Sequence, residues 1–150
     1  MISAVFDTNI FIPAILSETG PGNACVGELF ADRIVVFVHP EILAEIDDFL
    51  LRTRVREKYR HVRRFRTADL VRKIRKFGTW VPSVERIYEL DRDPTDALFI
   101  NLSIATNADF LVSRDKDLLY LSGDANFVAN YPNLKIVDPY EFLVAVRATR

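Results

Sequence analysis

Asp7 stands directly after an apolar run at residues 2–6, inside Val5-Phe6-Asp7-Thr8-Asn9. A carboxylate at the end of a buried segment is costly to desolvate unless it is paired or holds a cation. Asp115 and Asp117 follow a second apolar run, Phe110-Leu111-Val112. Asp93 and Asp96 are three residues apart, and Glu41 and Glu45 are four apart, spacings that put each pair on one helical face. Two carboxylates ~4 Å apart repel by roughly 4 kcal/mol at an effective dielectric of 20. Such a cluster therefore takes up a proton or binds a cation. All-oxygen donors favour Mg²⁺ or Mn²⁺ over zinc. His39, His61 and Cys25 are scattered and form no competing soft-ligand motif.

The elements that must position these acids alternate in kind. Residues 2–6 and 34–38 are short, apolar and β-branched, as strands buried on both faces are. Residues 10–17 and 23–31 are helical, separated by a Gly-Pro-Gly breaker that lacks a dinucleotide-binding pattern. Pro40 opens a helix with an apolar stripe of Ile42, Leu43, Ile46, Phe49 and Leu50. Residues 52–77 read as one or two basic helices, closed by Gly78 as a C-cap. Residues 80–84 and 87–90 are extended candidates. Asp93-Pro94 starts a helix as N-cap and N1, running to about Thr106. Phe110–Val112 and Lys135–Val137 are further strands, and Asp138-Pro139 opens a last helix. Residues 113–117 read as a loop, a cap on the turn at Leu118-Leu119 is the structural alternative to a ligand role for Asp117, and 120–133 reads as a long loop. This order predicts a three-layer α/β/α fold with a mostly parallel central sheet, as one domain over residues 1–150. In such sheets the ligand site lies beyond the carboxyl ends of the strands, where Asp7 and Asp115 fall.

Composition narrows the class. The chain has 150 residues, 49% of them hydrophobic and 27% charged, with a single cysteine. That fits a globular domain and excludes a disulfide scaffold. No apolar run approaches the ~20 residues of a membrane span, and the first residues lack the basic region and the small-residue cleavage site of a signal peptide. A cytoplasmic protein is expected. The net charge of −1 hides an asymmetry: residues 52–76 hold 12 of the 20 Lys and Arg against two acids, a local +10, and the rest of the chain carries −11. A polyanion is attracted by the first region and cations by the second.

Four blocks in order resemble the PIN-domain nucleases and, more narrowly, VapC-type toxin components of toxin–antitoxin pairs. They are Val5-Phe6-Asp7-Thr8-Asn9; Pro40 through Glu45 to Leu50; Asp93-Pro94-Thr95-Asp96-Ala97-Leu98-Phe99; and Ala108 through Asp115 to Leu119. By position, Asp7, Glu45, Asp96 and Asp115 match the family's acidic quartet. Asp117 matches an accessory acid, Asn9 and Ser113 match polar neighbours that orient the quartet, and Asp93 matches a supporting position. Thr95 and Arg114 depart from the pattern, standing where relatives often have an acid and a glycine.

The resemblance implies hydrolysis of single-stranded or loop RNA using one or two Mg²⁺ or Mn²⁺ ions. Asp7, Asp96, Asp115 and Asp117 would be metal ligands, and Glu45 would hold a second ion or orient water. It also implies a small cognate antitoxin and a homodimer, with no membrane role. A haloacid-dehalogenase-type phosphoaspartyl enzyme needs an aspartate where Asn9 stands. A receiver domain needs an acidic pair and a lysine that are not placed here. The alternative reading is a non-catalytic RNA- or antitoxin-binding module whose acids hold a structural ion.

Overall fold

A computed structural model describes residues 1–58, 64–89 and 94–150. Strands β1 (Ser3–Phe6), β2 (Val35–Val38), β3 (Thr79–Trp80), β4 (Phe110–Val112) and β5 (Lys135–Val137) form one sheet in the order β3-β2-β1-β4-β5. Every pairing is parallel. The first three strands build outward from β1 in one direction, and β4 and β5 build in the other. The topological switch point therefore lies between β1 and β4, where open α/β sheets place their ligands.

The helices are α1 (Thr8–Leu16), α2 (Pro21–Phe30), α3 (Pro40–Leu51), α4 (Thr53–Lys58), α5 (Arg64–Phe77), α6 (Pro94–Thr106), α7 (Lys116–Tyr120), α8 (Ala125–Asn130) and α9 (Pro139–Ala148). On one face of the sheet Phe6 packs on Phe11 of α1 at 5.6 Å and on Phe142 of α9 at 5.5 Å, and Phe110 packs on Phe142 at 5.6 Å. Edge-on and tilted rings at these distances add to simple area burial. Helix α6 packs against β1 and β4, with Phe99, Ile100 and Leu102 buried. The architecture is the expected three-layer α/β/α arrangement around a parallel sheet.

Several local expectations are corrected. The supposed loop at 120–133 contains the end of α7, a 3-10 turn (Leu121–Gly123) and α8. Leu118, Leu121 and Phe127 bury themselves along it, and Asp124 caps α8 by accepting the Phe127 N–H at 3.0 Å. The cap of α7 is Asp115, which accepts the Asp117 N–H at 2.8 Å, so Asp117 is not the cap. Gly78 receives no left-handed backbone. A Cβ there would sit 2.6 Å from Val38 Cγ2, so glycine is required by the close approach of α5 to β2.

Residues 81–89 are irregular where strand was expected, with only Thr79–Trp80 in the sheet. That segment is held by Asn101, whose side chain accepts from the N–H of Ile87 and Tyr88 and donates to the Tyr88 carbonyl, at 2.8–3.0 Å. The predicted cap at Asp93 lies outside the described residues.

Candidate active site

Asp7 follows β1 and its N–H donates to the Val112 carbonyl at 3.0 Å, so the β1–β4 ladder closes immediately beneath it. It is also the N-cap of α1, accepting the Asn9 N–H on Oδ1 at 3.2 Å. The strand-to-helix step thus fixes the side chain twice, once by the ladder and once by the cap. Oδ2 accepts from the Ser113 hydroxyl at 2.7 Å. Ser113 itself is fully buried and accepts the Asp115 N–H at 2.9 Å. One serine therefore ties the first aspartate to the loop that carries the fourth.

Asn9 adds a second tie, its Oδ1 accepting the Arg114 N–H at 3.4 Å. On the other side, Thr8 Oγ1 donates to Glu45 Oε2. Glu45 reaches this point because α3 starts where β2 ends. Its N-cap is His39, whose Nδ1 accepts the Glu41 N–H at 3.1 Å. Glu41, Asp47 and Asp48 are exposed, so of the acids on α3 only Glu45 joins the cluster.

Asp96 is buried in the first turn of α6. That helix returns to the amino edge of the sheet, where Asp109 accepts from the Ser3 N–H at 2.9 Å. Its first turn therefore faces the carboxyl edge, the same edge as Asp7. Asp117 is exposed in the first turn of α7, one turn outward from Ser113.

Burial pushes the Asp7 carboxyl above the usual carboxylate range. The hydrogen bonds from Ser113 and Asn9 work against this, and the charges of Asp115 and Glu45 add to the rise. The acids are thus close enough to feel one another. The donors are all oxygen, which suits a hard cation. Among the described residues no three Asp, Glu, His or Cys side chains converge as a ready-made metal cage. Mg²⁺ does not need one, since it is commonly held by one or two carboxylates and keeps several waters. The residues present therefore fit such an ion, and Asp7 is the most buried of their carboxylates. Cys25 is no part of this: it is buried, donates to the Pro139 carbonyl at 3.8 Å, and burial pushes its thiol up to about 12.

Three contacts here were not read from the sequence: the Thr8–Glu45 bond, the His39 cap and the double role of Ser113. The hydrogen-bonding residue types were visible at those positions, but their partners are 37 and 106 residues away in the first and last cases.

Comparison with known proteins places the fold and the family. Uncharacterized protein MJ1680 of Methanocaldococcus jannaschii is 30% identical over 149 residues, covering 95% of this chain and 90% of that protein. The crystal structure of VapBC2 from Rickettsia felis bound to a DNA fragment from their promoter contains a chain of similar fold. The TM-score is 0.58 at 17% identity, covering 91% of this chain and 98% of that one. Residues 3–117 match the PIN domain family, a stretch that holds Asp7, Glu45, Asp96, Asp115 and Asp117. The chain belongs to the PIN domain family of nucleases.

Proposed function

We propose that this protein is a divalent-metal-dependent endoribonuclease and the toxin of a toxin–antitoxin pair. The observation that carries the reading is Asp7. It is a buried carboxylate at the switch point of the sheet, tied through Ser113 to Asp115 and crowded electrostatically by Asp115 and Glu45.

In this reading Asp7, Asp96 and Asp115 hold Mg²⁺ or Mn²⁺, with Asp117 at the outer rim. The ion supplies a water of lowered pKa and offsets charge on the phosphate and the leaving oxygen. Ser113 and the Asn9 N–H fix the rotamer of Asp7, and Thr8 fixes that of Glu45. Glu45 is left with one oxygen to orient water or accept its proton. Several acids serve a polyanionic substrate because the bound cation inverts the local charge. Asp93 would support the start of α6. The basic stretch at 52–76 gives the strand a surface to follow.

The likeness to a VapBC2 assembly supports an antitoxin partner, whose Arg or Lys would enter among the carboxylates. A single domain over residues 1–150, a homodimer and a cytoplasmic location belong to the same reading. No helix of the described residues is long and apolar enough to cross a membrane.

Cleavage of labelled single-stranded RNA by the purified chain, in Mg²⁺, Mn²⁺ or EDTA, tests it. Cutting in metal and none in EDTA is expected. Stoichiometric metal binding with no cleavage of any RNA offered would instead favour the binding module with a structural ion.

A further inference from the structure

Trp80 is the single tryptophan of the chain and is 43% exposed at the open edge of the sheet. Tyr120 and Tyr140 are more exposed still, but among the exposed aromatics of the described residues Trp80 alone lies in a strand of the sheet. Its position is set by register. Trp80 pairs with Val38, and Phe37 pairs with Val5, so Trp80 stands level with Phe6, the residue before Asp7. Two strand spacings separate them, about 10 Å. Trp80 is thus at the carboxyl edge, beside the acidic cluster.

It is also on the face that carries the basic helix. Paired residues of a parallel ladder share a face, and Val38 meets the end of α5 at Gly78. That end of α5 carries Arg72, Lys73, Arg75 and Lys76 within two turns. Asp69 draws on Arg72 and Lys73. Arg75 and Lys76 are exposed and form no salt bridge with another described residue.

An exposed aromatic plane at the sheet edge, five and four residues after the exposed cations Arg75 and Lys76, the latter with its Nζ 5.4 Å over the Phe77 ring, matches how single strands are held: phosphates on the cations, bases on the ring. We propose that Trp80 is a stacking platform for one base of the RNA strand, seated at the sheet edge while Arg75 and Lys76 take the adjoining phosphates. This rests on the reading of the protein as an RNA-cleaving enzyme and names a residue that positions the strand outside the acidic centre. A protein strand added to the β3 edge is the competing occupant. The cationic flank favours the polyanion.

The test uses the single tryptophan as its own probe. The wild-type chain is titrated in EDTA, where the strand is not cut, with a fluorescein-labelled single-stranded oligoadenylate. Anisotropy of the label reports binding, and Trp80 emission reports stacking. Both should follow one isotherm, with emission quenched. Trp80→Ala should weaken binding about 5- to 150-fold, the range for loss of one stacked base. Trp80→Phe, which keeps a ring and controls for folding, should retain most of the affinity. A strand with abasic sites throughout should bind weakly and leave the emission unchanged.

Binding with unchanged emission, together with a Trp80→Ala affinity within twofold of wild type, would overturn the stacking role and leave the nuclease reading intact. Quenching by the abasic strand, or by an antitoxin peptide but not RNA, would also overturn it. No RNA binding in EDTA would overturn the stacking role, and the same result together with no RNA cleavage in Mg²⁺ or Mn²⁺ would overturn the RNA-cleaving reading as well.

Discussion

The Ser113 hydroxyl donates to Asp7 Oδ2 at 2.7 Å across 106 residues of sequence, from the end of β4 to the end of β1. The same oxygen accepts the Asp115 N–H at 2.9 Å. A buried hydroxyl used on both sides is an aligning device: it holds one carboxylate directly and the next through its backbone. Ser113→Ala removes both bonds at a buried position, at a cost of about 1–3 kcal/mol. Thermal unfolding should fall by about 2–10 °C. Metal affinity should drop ~10–100-fold, as for lost outer hydrogen bonds at metal sites generally. Unchanged metal affinity by calorimetry would show that Asp7 needs no such support.

Asp7 itself carries a signature in stability. Its folded-state pKa is raised above 3.8, chiefly by burial. The folded state therefore binds the proton more tightly than the unfolded state. Stability contributed by this group is greatest below the unfolded value and falls as pH rises through the folded one. Without metal, Asp7→Asn should be more stable than wild type at neutral pH, and the difference should vanish below about pH 3.8. Added Mn²⁺ should reverse the order, since a ligand at 100 times its Kd adds about 2.7 kcal/mol to wild type alone. Equal metal shifts for the two proteins in a melting series would remove Asp7 from the metal site.

Thr8 is predicted to act through Glu45. Thr8→Val keeps the shape of a buried helix start and deletes the donor to Glu45 Oε2. Cleavage kcat should fall about 10–100-fold with little change in KM, because the strand is bound elsewhere and only the orientation of one carboxylate is lost. Thr8→Ser should restore most of the rate. A rise in KM with kcat unchanged would contradict a positioning role.

Far from the site, Glu28 is buried on α2 and meets both Arg33, at 3.2 Å, and Arg150. Burial pushes its carboxyl up, and hydrogen bonds from Arg150 and Arg33 outweigh this, leaving it below the usual value of 4.5. The sign is opposite to that of Asp7: the stability is present above 4.5 and is lost as pH falls through the lower folded value. Glu28→Gln should melt several degrees lower than wild type at neutral pH, with the gap closing on acidification. A gap that persists to strongly acidic pH would mean that packing, not charge, makes the difference.

Local chemistry made the frame of the fold legible. The apolar β-branched runs gave β1, β2, β4 and β5, and Pro40, Pro94 and Pro139 marked helix starts because each begins the helix its number falls in. The stretch at 120–133 was not legible, since Gly123 and Pro132 read as breakers while Leu118, Leu121 and Phe127 are too sparse to show a period. Residues 87–89 looked extended and are irregular, because their partner is the Asn101 side chain on a later helix. The positions of Asp7 and Asp115 at strand ends followed from pattern alone. Glu45 rather than Glu41, and Ser113 as an orienting neighbour, were legible only through the family resemblance; the Ser113–Asp7 and Thr8–Glu45 bonds themselves depend on which strands become neighbours, which local sequence does not show.

The most direct test of the central claim is cleavage of labelled single-stranded RNA by wild type, Asp7→Asn and Asp96→Asn, each in Mg²⁺, Mn²⁺ and EDTA. Metal-dependent cutting by wild type, with at least a hundredfold loss in both variants and melting curves that show both folded, is the predicted result (about 2.7 kcal/mol or more of transition-state stabilisation). A folded Asp7→Asn protein that cuts RNA at the wild-type rate would contradict it.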